Sequence, residues 1–499
     1  MNWEDWLIVA ILLSSFLPGV VIFTLAEESS RLRTSLNILG ALMKMALVLV
    51  MNIAIYLGLM FELRLPLLPG VEIFLNADPL SALFATLSSV LWFLTTIYAV
   101  GYLENSPNRS HFFGYFSLCV TVTIGIAMAG NLVTFLLFYE MLTLATYPLI
   151  IHRGTTEALE AGRKYLIYAF GGGAAFLFGV IWLHTLVGLG DFSPAGFSPV
   201  MLARHHLQLK MIFLLLIAGV GVKAAIVPLH GWLPQAMIAP APVSALLHAV
   251  AVVKAGAFGV IRIVLDVYGI KNALRLGMLP WLTLFSSITI IWGSIRALQQ
   301  DDLKRRLAFS TVSQVSYITL GISLAEQPLA AAGGLVHLVH QGLMKITLFF
   351  CAGNLAETLG IHKISEMDGV GRRMPFTMAA FTIGALGMIG IPPTAGFVSK
   401  WYLCLGGLNA GNWWVIAVLA SSSLLNAAYF LPILTKAWFK EQTLSWPMEK
   451  KFGSFETHWM LLVPPLVTAV IVIAAGIAVN AHISPLAWVK FIMKEYGLS

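Results

Sequence analysis

The sequence predicts an all-α polytopic membrane protein of about 14 transmembrane helices. Three observations predict it. Apolar stretches of roughly 20 residues, long enough to cross a bilayer core, recur from end to end. Hydrophobic residues make up 59% of the 499 and charged residues only 11%, against about 25% charged in soluble domains. Short connections carrying Asn, Pro, Gly or charge separate the stretches, with no composition shift that would mark a soluble domain.

The helices are expected near 5–26, 36–58, 79–101, 112–128, 131–151, 163–187, 211–228, 242–265, 277–295, 307–324, 329–355, 375–404, 414–435 and 458–480. Helix 1 has an acidic flank, MNWEDW, with Arg31 and Arg33 after the apolar run. That reverses the order of a signal peptide, so the helix is expected to stay uncleaved. Lys44 in helix 2 and Arg262 in helix 8 lie towards helix ends and are expected to snorkel to the interface. Helix 5 reads FLLFYEMLTLATYP, and its Glu140 is the one carboxylate of 23 that falls well inside a helix. A carboxylate among Leu, Phe and Met protonates or finds a cation. Helix 6 carries GGGAAFLFG over Gly171–Gly179. Without a strand before it, this run signals close helix packing and not a phosphate loop.

Helix 7 is the most informative. Its apolar run Met211–Val227 contains Lys223, and Pro228 then breaks it, with His230 and Pro234 following. A lysine at mid-bilayer costs about 2.5–3.5 kcal/mol on insertion scales. Broken helices persist at that depth only where they line protein or water. Helix 8 carries Ser244 and His248 four apart on one face, and Lys254 on another. The run Asp302, Lys304, Arg305, Arg306 before helix 10 is expected to be solvated or to contact another subunit. In helix 11, His337, Gln341 and Lys345 recur every four residues as a polar stripe, with His340 off it. Helix 12 is broken in GIPPTAGFVSK by Pro392 and Pro393, with Lys400 beyond. After helix 14 the tail Lys490–Leu498 is expected to be interfacial or partner-bound, with Trp488, Phe491 and Ile492 facing lipid.

Helices 7 and 12, both broken and both carrying a lysine, lie five apart. Paired broken helices suggest inverted repeats with the ion path at the breaks. The partition is then helices 1–3 (1–110), a first five-helix repeat of helices 4–8 (111–266), a second of helices 9–13 (267–440), and helix 14 with the tail (441–499). Connections after odd-numbered helices carry 17 Lys and Arg, and those after even-numbered helices, with the tail, carry 7. The odd connections are therefore expected to be cytoplasmic and both termini non-cytoplasmic.

The polar groups suit proton transfer. A Glu140–Lys223 pair would be electrostatically coupled, and lysines, histidines and water can relay protons onward. Composition excludes other classes. The net charge of +7 resides mainly in loops, with no basic groove for nucleic acid. Cys119, Cys351 and Cys404 sit in apolar runs and form neither a disulfide frame nor a metal site. No nucleophile–base pair, metal cage or cofactor site is evident, so no autonomous catalytic centre and no cofactor are expected.

The stretches FYEMLTLATYPLI, GVKAAIVPLHGWLPQAM, APAPVSALLHAVAVVKAGAF and GALGMIGIPPTAGFVSKW, with NADPLSALF near helix 3, resemble the antiporter-like membrane subunits over nearly the whole chain. That family comprises subunits of Mrp-type cation/proton antiporters, membrane-bound hydrogenases and respiratory complex I. The resemblance implies 14 helices with two inverted five-helix repeats. It also implies a proton path through Glu140, Lys223, Lys254, Lys345 and Lys400, with His230, His248, His337, His340 and Gln341 as auxiliaries. HKISEMDGVGRRMP after helix 11 is most similar to the D-type component of Mrp antiporters and to the related hydrogenase subunits. The family often has His at the position of Gln341, which can order water but cannot take up a proton. The implied function is a proton-translocating subunit of a multisubunit Na+/proton antiporter in a prokaryotic inner membrane. Its partners would be other membrane subunits, lipid, protons and Na+. A proton-pumping module of a redox complex is the alternative, and a transport-free scaffold is disfavoured by the buried charges.

Overall fold

The structure is a computed structural model that describes residues 3–103, 106–188, 190–442, 445–453 and 455–498. All 14 expected helices are present, and 11 of them are long and apolar enough to cross a membrane. The other three are helices 8, 10 and 12, and each departs for a physical reason. Helix 8 is cut into pieces, Ala241–Ala245 and Val252–Arg262, by wide π turns at Leu246–Val250 and Ile263–Val267. Helix 10, Leu303–Ser323, is rich in Ser, Thr and Gln. Helix 12 is two halves, Pro375–Ile389 and Ala395–Asn409, separated at the two prolines.

Local chemistry sets several starts. Asp78, Asn131 and Thr155 cap helices 3, 5 and 6, each side chain accepting a backbone N–H of the first turn. Helix 11, Pro328–Leu359, is buried throughout its apolar length and forms the centre of the bundle. It packs against both halves of helix 12 and against helices 8, 10 and 14. A hairpin of β1 (Glu62–Leu68) and β2 (Val71–Asn76) connects helices 2 and 3, where the helix pattern predicts only a plain connection.

Odd and even connections gather at opposite ends. At the odd end, Ser365 Oγ donates to Asp301 Oδ2 at 2.8 Å, Arg373 pairs with Glu449 at 2.8 Å, and Lys436 pairs with Asp368 at 3.2 Å. At the even end, Arg64 of β1 pairs with Asp191 at 2.7 Å. Residues 1–2 and 499, the extreme termini whose side was expected from charge, lie outside the described residues.

Four expectations are corrected. Lys44 and Arg262 do not snorkel, being 0% and 1% exposed. Arg262 stays inside because two carboxylates meet it, Asp78 at 2.7 Å and Asp266 at 2.8 Å. Asp266, 3% exposed, is thus a further acid inside the helical region, more deeply buried than Glu140. The charge run before helix 10 is not simply solvated. Asp302 caps the helix through Arg305 N, Lys304 donates to Ala239 O at 2.7 Å, and buried Arg306 donates to Gln300 O and Tyr429 O. The tail forms a helix, Pro485–Glu495, that folds onto the protein itself. Val489 and Ile492 are buried, Trp488 donates to Pro79 O at 2.9 Å, and Tyr496 donates to Asp266 at 2.7 Å. Its amphipathic spacing is satisfied by helix 3 and helix 11 rather than by lipid.

The glycines of helix 6 pack closely as expected. Gly172 faces Val222 and the Gly219 carbonyl of helix 7, and Gly179 faces Leu216. Cys119 and Cys351 are buried, Cys404 is half-buried, and all three are free thiols.

Candidate functional site

The break in helix 7 comes earlier than expected. The helix ends at Lys223 itself, and Ala224 caps it. Pro228 lacks an N–H and disfavours helix in the residue before it, so the chain has already left the helix. Ala225 takes a left-handed φ of 57°, uncommon for a residue with a side chain. A backbone outlier beside a buried lysine is the kind of local strain that clusters at functional sites.

Buried Lys223 donates from Nζ to the Tyr139 carbonyl and stands 3.5 Å from the centre of the Tyr139 ring. Tyr139 immediately precedes Glu140. The ammonium and carboxylate are therefore neighbours without a direct ion pair, and their charges still interact. Glu140 is half-buried and its Oε1 has no hydrogen-bond partner. Gly173 of helix 6 makes the space it occupies, since a Cβ there would lie 2.8 Å from the Glu140 carboxyl carbon. His230, beyond the break, is half-buried with an unpartnered Nδ1.

The break in helix 12 is built differently. Its first half ends at Ile389, and Gly390 follows at φ 93°, a conformation that favours glycine. The last carbonyls of a helix lack intrahelical donors. Lys400, at the start of the second half, fills that need. Its Nζ donates to Met388 O at 2.9 Å, Ile389 O at 2.8 Å and Ser423 Oγ at 3.0 Å. A cation at a helix C-terminus is also favoured by the helix dipole.

Helices 8 and 11 lie between the breaks. Gly256 of helix 8 lets the helix cross the helix 7 break, because a Cβ there would overlap the Ala224 nitrogen. Two residues earlier, Lys254 donates to the Leu338 carbonyl of helix 11 at 2.7 Å. The neighbouring His337 is hydrogen-bonded to Ser399 Oγ at 2.8 Å and lies within electrostatic range of both Lys254 and Lys400. Lys345 donates to Leu307 O at 2.9 Å and to Ser310 of helix 10. Gln341 is fully buried with neither amide atom partnered. His340 is buried on the side of helix 11 that faces the Ala395 backbone. His248 stacks on Phe349 at 4.5 Å, with neither ring nitrogen partnered. The wide π turn that holds it spoils the simple four-residue face shared with Ser244.

The structure thus strings Lys223, Lys254, His337 and Lys400 through the interior, with Lys345, Gln341 and His248 beside them. Lys223, Lys254, Lys345 and Lys400 are all buried, and among the described residues none has a carboxylate within ion-pair distance. Their acceptors are carbonyls and hydroxyls. His230 sits apart, near Phe309 at 6.4 Å. Sequence reasoning missed Tyr139, Ser310, Gln314 and Tyr317. The Tyr317 ring lies tilted against His337 at 5.2 Å and sits under Lys400 at 5.4 Å. The signal was available, since Ser310, Gln314 and Tyr317 fall at helical spacing on one face of helix 10. Among the described residues no group of three or more His, Cys, Asp or Glu could hold a metal ion.

A family model described as "NADH:quinone oxidoreductase/Mrp antiporter, TM" matches residues 129–426, more than half of the chain and all of the row just described. The chain belongs to that family. A second model, the complex I "chain 5 N-terminus", matches residues 70–113 of this antiporter-like subunit. It is 37% identical over 377 residues to the NADH-quinone oxidoreductase subunit N of Desulforudis audaxviator, covering 74% of this chain and 73% of that one. It is 30% identical over 432 residues to the Na(+)/H(+) antiporter subunit A1 of Staphylococcus haemolyticus, covering 82% of this chain but only 53% of that one. Its fold matches a chain of the Mrp complex from Dietzia sp. DQ12-45-1b with a TM-score of 0.87, at 22% identity and over 99% and 98% of the two chains. The antiporter-like subunit is thus a multi-pass membrane protein of a family found in multisubunit complexes.

Proposed function

We propose that this chain is the proton-translocating membrane subunit of a multisubunit monovalent cation (Na+)/proton antiporter. Glu140, Lys223, Lys254, Lys345 and Lys400 carry the protons, and His230, His248, His337, His340 and Gln341 order the path between them. One observation carries the reading. Four buried lysines are held by neutral acceptors, and a neutral amine keeps two N–H donors for the carbonyls and a lone pair that can accept from a hydroxyl such as that of Ser423. Each site therefore tolerates both protonation states, which a structural ion pair would not. Glu140 beside Lys223 supplies the charge that biases the first lysine, so loss of that charge releases its proton.

In this reading helices 4–8 and 9–13 are the inverted repeats, with the partition 1–110, 111–266, 267–440 and 441–499. The odd end faces the cytoplasm of a prokaryote, both termini face outward, and other membrane subunits flank the chain. The identity to a NADH-quinone oxidoreductase subunit N favours a second reading, in which a redox partner drives the same proton path. Purification of the native complex with its chains identified separates the two. Antiporter subunits together with Na+-dependent proton exchange in vesicles support the first reading, and quinone- or hydrogen-reacting subunits support the second.

A further inference from the structure

Lys44 has no place in the relay above, yet among the described residues it is a fully buried cation without a hydrogen-bond partner. It lies mid-way along helix 2, Ser30–Tyr56, with no solvent exposure and no hydrogen-bond partner for Nζ. Among the described residues it faces the ring of Trp92 on helix 3, 5.6 Å away, and the Trp92 indole N–H is itself unpartnered. No carboxylate pairs with Lys44 among the described residues. An ammonium so placed must meet water or give up its proton.

Polar groups lead to it from the odd end. Arg33, Asn37 and Lys44 lie on the one buried face of helix 2. Arg33 donates to Ser110 Oγ of helix 4 at 2.8 Å, and Ser117 Oγ donates to Asn37 Oδ1 at 3.4 Å. One turn further, Thr121 shares a hydrogen bond with Ser15 at 2.6 Å. Polar groups also lead away from it. Ser88 stands one turn before Trp92 on the same face of helix 3, and its Oγ donates to Val250 O at 3.1 Å. Val250 closes the π turn of helix 8 that holds His248, with both ring nitrogens unpartnered. Serine, threonine and tryptophan along the branch can hold water without adding charge.

We propose that Lys44 is a further proton-binding group, on a polar branch that runs from Arg33 at the odd end, past Trp92 and Ser88, to His248 in helix 8. The branch gives helices 1–4 a part in proton supply to the central row. It rests on the proton-transport reading above.

The test uses the whole complex in membrane vesicles, normalised to assembled complex. Lys44→Met should lower proton-coupled transport by at least about tenfold, less than the roughly hundredfold or more typical of proton-transfer groups in enzymes. Lys44→Arg keeps a cation over Trp92 but cannot release a proton, so it should be equally impaired. In a background with Cys119, Cys351 and Cys404 replaced by Ala, Lys44→Cys should react with 2-aminoethyl methanethiosulfonate faster than Leu39→Cys on the outer face. Wild-type transport in Lys44→Met, or full rescue by Lys44→Arg, overturns the proposal, the second because it shows a purely structural cation. If Lys44→Met does not assemble, Lys44→Gln and the cysteine reactivity decide, and an unreactive Lys44→Cys overturns it. Glu140→Gln and Lys223→Ala are run alongside. If they transport normally, the relay reading itself fails; if they fail while Lys44→Met is normal, only the branch is wrong.

Discussion

Gly173→Ala is a one-methyl test of whether the placement of the Glu140 carboxylate matters. The added Cβ would lie 2.8 Å from Glu140 Cδ and 2.9 Å from Oε2, well inside van der Waals contact. Overpacking of this kind costs about 1–3 kcal/mol unless the neighbour moves. Replacing a helical glycine by alanine returns about 1 kcal/mol. The net penalty is therefore small, and the carboxylate is the flexible partner that gives way. Gly171→Ala is the matched control, because no atom lies within 4 Å of its added Cβ. The expected outcome is a Gly173→Ala complex that assembles, unfolds at most about 1–3 kcal/mol more easily than Gly171→Ala, and transports protons poorly. Thermal unfolding of the solubilised complex and vesicle transport measure the two quantities. Wild-type transport in a Gly173→Ala complex as stable as Gly171→Ala would refute the argument, because the carboxylate would then have freedom to spare.

Lys400→Ala removes three hydrogen bonds and leaves the Ile389 carbonyl without its donor, while Met388 O keeps Asn426 Nδ2; transport should fall by more than about tenfold, equivalent to 1.4 kcal/mol, in complexes that still assemble. Tyr496→Phe deletes the bond to Asp266, worth about 1.5–3 kcal/mol for a charged acceptor; hydrogen exchange should then reach the tail helix faster while the helices of the bundle stay protected. Unchanged protection would mean that Trp488 and the buried Val489 and Ile492 hold the tail without it.

The helix count and most boundaries were legible because apolar length and breakers are local properties. The breaks at Pro228 and at Pro392–Pro393 were legible for the same reason. The end of helix 7 was not, because a proline's effect reaches back several residues and Ala225 carries no turn signature. Lys44 and Arg262 were misread because snorkelling was judged from position along the helix alone. Whether a cation stays inside depends on what meets it, and Asp78 and Asp266 lie 184 and 4 residues from Arg262 in sequence. The tail was misread similarly. Its amphipathic pattern specifies an apolar surface to cover, and the pattern cannot say whether lipid or helix 3 provides it. Tyr139 was overlooked because a tyrosine in an apolar helix looks ordinary until a lysine reaches its carbonyl. The Glu140–Lys223 pairing was half legible. Lys223 reaches helix 5 at the Tyr139 carbonyl, one residue before Glu140, and makes no direct ion pair with the carboxylate.

In the proposed path Glu140 and Lys223 act as one coupled unit. The most direct test is a double-mutant cycle of Glu140→Gln and Lys223→Ala, read as proton-coupled transport in vesicles and normalised to assembled complex. The glutamine keeps shape and hydrogen bonding and removes only the charge. Each single variant should lose most of the activity, and the double variant should be hardly worse than either, because coupled partners are non-additive. Wild-type transport by Glu140→Gln, or losses that simply add in the double variant, would contradict the account.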